Sequence, residues 1–84
     1  MKYYETKTRW AETRAVCNSV KQKLIGMGYP VTWRPTATGA VFACGRVEIG
    51  AVTYAFIDGN LDRRAELVAE MVAGFDSYIL KNMV

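Results

Sequence analysis

Basic residues recur at a fixed step near the start of this chain: Lys7, Arg14 and Lys21 stand seven residues apart, with Asn18 between the last two. Seven residues are close to two turns of an α-helix, so a helix through this stretch would carry them in one line along its surface. Lys23 and Arg34 add cations nearby, and Trp33 places an aromatic ring directly before Arg34. Such a set can neutralise an anionic surface, either a carboxylate-rich protein or a phosphate backbone, while the aromatic ring and Arg34 supply the side chains that most often anchor a protein contact.

Other spacings with chemical meaning lead nowhere. The chain has no histidine, which removes the usual imidazole base of a serine or cysteine nucleophile and the commonest nitrogen ligand for a metal. Glu66 and Glu70 lie one turn apart on a face expected to be solvated, where nothing raises a carboxyl pKa toward that of a general acid. Asp58, Asn60 and Asp62 match the first three ligand positions of a calcium loop. The sixth position is Arg63 where the turn needs glycine, and the twelfth is Ala69 where a glutamate should close the cage. Cys17 and Cys44 lack metal-ligand spacing and read as two buried thiols. Gly26-Met27-Gly28 closes a helix instead of opening one, opposite to a dinucleotide-binding turn. Neither catalysis, a cofactor nor a metal is expected.

The charge is unevenly spread. Through Arg46 there are eight basic residues against two acidic ones, a surplus of +6, and from Val47 onward three basic against six acidic, a deficit of −3. The expected molecule is therefore bipolar. At 84 residues and 51% hydrophobic the chain suits one small domain that needs nearly all its apolar side chains. Surplus apolar surface favours a homodimer. No apolar run approaches the roughly 18 residues of a membrane span, and the polar start MKYYETKTRW lacks the apolar stretch of a secretory signal, so a cytoplasmic protein is expected.

These residues need a scaffold, and the densest structural signal is Gly39 to Ile57, where β-branched and aromatic residues crowd as in a sheet. Val47, Ile49, Ala51, Ala55 and Ile57 alternate with Glu48, Val52, Tyr54 and Phe56, and neither set is polar. Two explanations stand: both faces of the sheet are covered, one by a second subunit, or a bulge at Gly50 moves the pattern from one face to the other. Val52, Tyr54 and Phe56 are the candidate dimer or partner face. The expected fold is α+β in the order α-β-β-β-α, with helices at about 8–25 and 61–80, strands at about 29–34, 40–44 and 47–57, and both helices on one face of an antiparallel sheet. The turn between the second and third strands falls at Cys44-Gly45 or at Ile49-Gly50. On the first helix Trp10, Thr13, Val16, Cys17, Val20, Leu24 and Met27 form the apolar stripe; on the second, Leu61, Ala65, Val68, Met71, Val72, Phe75 and Ile79 do so opposite an acidic line of Asp62, Glu66 and Glu70. Asn60 is the expected cap of that second helix.

In topology alone this order resembles the double-stranded-RNA-binding domain, which reads duplex shape and phosphates. That family's basic cluster opens its second helix. Here Arg63-Arg64 are flanked by Asp62 and Glu66, and the loop PTATG carries no charge. The resemblance implies nucleic-acid binding through the first helix as the alternative function. The leading expectation is a small non-enzymatic protein that occupies a surface of a macromolecular partner, protein ahead of nucleic acid. In size it is similar to the compact regulators and inhibitors carried by bacteriophages and mobile elements.

Overall fold

A computed structural model describes the backbone of residues 7–83 and the side chains of residues 11–83. The expected Tyr3 and Tyr4 lead-in, and the side chains of Lys7 and Trp10, lie outside the described residues. Helix α1 (Lys7–Gly26) is followed by strands β1 (Val31–Pro35), β2 (Gly39–Cys44) and β3 (Val47–Thr53), a short helix α2 (Tyr54–Asp58), a 3-10 turn (Leu61–Arg63) and helix α3 (Arg64–Asn82). The sheet is antiparallel in the order β1-β2-β3. This is the α+β architecture that the sequence implies, with one added element.

Helix α1 ends in two crossed hydrogen bonds: the Tyr29 amide donates to the Leu24 carbonyl and the Gly28 amide to that of Ile25, with Gly28 at φ +97°. This cap requires the left-handed backbone that glycine adopts freely. It also uses the Tyr29 amide, so β1 starts at Val31 and not at Tyr29. Met27, expected in the core stripe, is 48% exposed because the helix stops at Gly26 and its spacing no longer applies. Thr13, Val16, Cys17, Val20 and Leu24 are fully buried.

The β2–β3 turn is Gly45-Arg46, with Cys44 paired to Val47. A register shift follows: Phe42 faces Gly50 while Ala43 faces Glu48, leaving Ile49 as an extra residue on β3. This bulge sits one residue from the expected position and accounts for the doubly apolar pattern, since it lets Ile49 and Val52 both turn inward. The inner face carries Val31, Ala40, Phe42, Cys44 and Ile49, all in one core with residues of α1 and α3. The outer face carries Thr32, Arg34, Glu48 and Ala51, all exposed. Both long helices therefore cover the same face.

The strand expected over 47–57 ends at Thr53. There the hydroxyl of Thr53 accepts the Phe56 amide and caps α2, so Tyr54 and Ile57, three residues apart, are both buried. A single helical turn presents residues i and i+3 to the same side, which a strand cannot. The expected stripe of the second helix faces the core at Leu61, Val68, Met71, Val72, Phe75 and Ile79; Ala65 departs from it and is exposed, and Leu67, not expected there, is fully buried. The 3-10 turn before α3 advances more angle per residue than an α-helix, which shifts the first turn of α3 and takes Ala65 off the stripe. The side chain of Asn60 does not cap the helical segment that follows it; it donates back to the Phe56 carbonyl in α2 and accepts from Arg63 Nε. No helix among the described residues is long and apolar enough to cross a membrane.

Candidate functional site

The buried stripe of α1 fixes what its other sides present. Arg14, Asn18 and Lys21 run along one flank, Arg14 and Asn18 exposed and Lys21 half-buried. Ala11 and Ile25 continue the same seam at helical spacing. Helix α1 packs beside β1, and the Trp33 indole Nε1 donates to Asn18 Oδ1 at 2.9 Å. The Trp33 ring also lies 6.5 Å from that of Phe42. Trp33 thus joins the cationic seam to the core, and Arg14, Asn18, Lys21 and Trp33 form one surface.

Two of the expected members are elsewhere. Lys23 follows Lys21 by two residues, about 200° around the helix axis, and lines a groove between α1 and α3 with Ser19, Arg64 and Val68. Arg34 neighbours Trp33 in a strand, so it points to the opposite face, where its guanidinium meets Glu48 at 3.1 Å. The Lys7 backbone belongs to α1, on the same seam.

The ion pairs redraw the charge map. Arg63 reaches Glu66 at 2.9 Å and Glu70 at 2.8 Å, and these bonds, Glu70 first, hold its guanidinium firmly in the charged form. Arg64 meets Glu12 at 3.5 Å. Tyr29 donates its hydroxyl to Asp76 at 2.6 Å, and this bond followed by burial raises the phenol pKa. Four of the acidic groups are therefore engaged by three arginines, Arg34, Arg63 and Arg64, whereas no ion pair involves Arg14, Lys21 or Lys23 among the described residues. Arg63 offsets one of the two α3 carboxylates it meets, and of the described cations without an ion pair Arg14, Lys21 and Lys23 are grouped on α1, with Arg46 and Lys81 elsewhere.

Val52 and Phe56 come together in a groove of about 290 Å³ with Phe75 and Tyr78, beside the outer edge of β3. Phe56 is 48% and Tyr78 40% exposed. Tyr54 does not belong to this face. It is buried, and its hydroxyl and amide donate to the carbonyls of Thr36 and Thr38, tying α2 to the β1–β2 loop. Its place in the expected partner face followed from reading α2 as strand. Cys17 and Cys44 are free and buried, and burial pushes the Cys17 thiol up to about 12, which suits a packing role and not a reactive one.

The expectation also passed over Asn18 as the acceptor for Trp33, and Ile25. Ile25 is visible in hindsight as the next step of the same seam, one turn past Lys21. Comparisons with protein-family models, with curated proteins and with solved structures give no match.

Proposed function

We propose that this chain is a small non-enzymatic binding protein that works by occupying an anionic surface of a macromolecular partner, in the manner of a regulator or inhibitor. The observation that carries this reading is the placement of charge partners: Arg34, Arg63 and Arg64 are engaged by carboxylates at 2.8 to 3.5 Å, while Arg14 and Lys21 share the flank of α1 that meets Trp33 and have no ion pair among the described residues. Cations left unpaired on a rigid helix are already placed for an incoming anion, and they steer its approach. An affinity capture from the native host with wild-type protein and the Arg14→Glu/Lys21→Glu double variant tests it. A partner retained by the wild type and lost by the double variant, at unchanged circular dichroism, supports the reading. Equal retention by both overturns it.

Nucleic-acid binding is the second reading, favoured by the same unpaired cations on the first helix of an α-β-β-β-α fold. A gel shift with a short duplex at low and moderate salt separates the two, because phosphate neutralisation is strongly salt-sensitive. Self-association is the competing use of Val52 and Phe56. Sedimentation velocity of the wild type and Phe56→Glu reads it directly, with a dimer that dissociates in the variant as the positive result.

A further inference from the structure

Resting on the reading above, we infer that the partner surface is an amphipathic acidic protein segment, whose carboxylates meet Arg14 and Lys21 and whose apolar side chain seats in the groove at Ile25.

The cationic seam does not stop at Lys21. One turn further on, Ile25 is 43% exposed on the same line, and it forms one wall of an open groove of about 620 Å³ whose other lining residues are Gly28, Tyr29, Pro30, Val31 and Thr32. At the other end Ala11, Arg14, Ala15 and Asn18 border a shallow hollow of about 220 Å³. Trp33 stands between the two, anchored on Asn18. From Ala11 to Ile25 the strip is about 21 Å long at the rise of an α-helix, enough for about four turns of a helical segment. Its order is polar hollow, cation, indole, cation, apolar groove.

That order discriminates between anionic partners. A phosphate backbone is satisfied by cations alone and gains affinity with each phosphate neutralised, yet this strip offers two described cations and then an aliphatic wall. A segment alternating carboxylates with Leu- or Phe-like side chains matches both halves, since charge sets its approach and burial of one anchor in the groove supplies the contact that resists dissociation. The segment is held through side chains and not by strand addition at β1, because Pro30 and Pro35 flank and close that strand and withhold amide donors from its ends.

The test uses the full chain and fluorescence anisotropy with labelled synthetic probes of equal length: a peptide with Glu and Leu at helical spacing, one with Glu and Ser in the same positions, and a short RNA duplex. The Glu/Leu peptide should bind at least tenfold more tightly than the Glu/Ser peptide. Arg14→Glu/Lys21→Glu should weaken it by tenfold or more, and Ile25→Asp likewise, with Ile25→Ser as the milder variant should the charge disturb the helix end. Phe56→Glu should leave binding unchanged. Equal binding of the two peptides overturns the inference while leaving the anionic-surface reading intact, as does binding of the duplex alone. Binding of no probe overturns the inference, and the host capture then decides the broader reading independently.

Discussion

At the scale of single residues, two glycines are held by contacts of different hardness. A Cβ on Gly39 would run into the carbonyl oxygen of Val52, a backbone atom of the neighbouring strand. On Gly50 it would meet the Phe75 ring edge at 2.7 Å, a side chain that stacks on Phe42 with ring centroids 4.7 Å apart. A half-buried ring can shift, whereas a paired strand cannot without breaking its ladder. Gly39→Ala should therefore cost about 3 kcal/mol, the upper end of overpacking, and Gly50→Ala about 1 kcal/mol. Urea denaturation of both variants checks the order, and a larger loss at Gly50 would mean that Phe75 is locked. Cys17 gives a prediction of another kind. Its thiol holds its proton up to about pH 12 in the folded chain against an ordinary 9.0, so between those values the folded state binds more protons than the unfolded one. The stability linked to this group is complete below about pH 9 and drains away as pH rises toward 12; Tyr29, raised in the same direction, adds to the trend. Chemical denaturation at pH 8 and pH 10 should show a smaller loss in Cys17→Ala than in the wild type, and thiol reagents should modify Cys17 only on unfolding.

Among the elements, α2 separates what the chain advertises from what it builds. Val52-Thr53-Tyr54-Ala55-Phe56-Ile57 favours strand by side-chain type, and over so few residues alternate and three-residue spacings are both satisfied. The decision is made by bonds that sequence spacing does not reveal, namely the Thr53 hydroxyl on the Phe56 amide and Tyr54 on the carbonyls of Thr36 and Thr38. Thr53→Ala should cost about 1 kcal/mol, as for other lost caps, or roughly 4–8 °C in Tm for a domain of this size. Thr53→Ser should retain most of it, and equal melting of the alanine and serine variants would count against the cap. The longer elements were legible because their signals are redundant: α1 by its buried stripe and closing glycine, β2 by its apolar run between Gly39 and Gly45, and the bulge by the failure of β3 to alternate. In the candidate site the seven-residue period placed Arg14 and Lys21 on one line. It could not reveal that Trp33 reaches Asn18, or that Arg34 turns away to Glu48, because both depend on which strand lies beside α1.

For the molecule as a whole, formal charge sets how much charge a partner meets, and the ion pairs set where it is engaged. The second half of the chain carries a deficit of −3 with Arg63 and Arg64 already counted, and Arg63, which spans Glu66 and Glu70 across a 3-10 turn and the start of α3, is one cation for two carboxylates. The bipolar charge implied by composition therefore stands, with cations aligned on α1 and carboxylates gathered about Arg63 at the start of α3. Arg63→Gln isolates this effect. It leaves Glu66 and Glu70 facing each other one turn apart with no cation between them, a like-charge spacing that disfavours helix, and it should lower Tm modestly at low ionic strength. Because salt screens that repulsion in the variant and weakens the ion pairs of the wild type, the difference in Tm should narrow between low salt and 1 M salt, the latter with a Debye length of about 3 Å. A difference independent of salt would assign Arg63 a packing role through Asn60. Anisotropy with the Glu/Leu peptide should be affected little by Arg63→Gln, since the cations argued to receive that peptide lie on α1, and a large loss there would move the binding surface to α3.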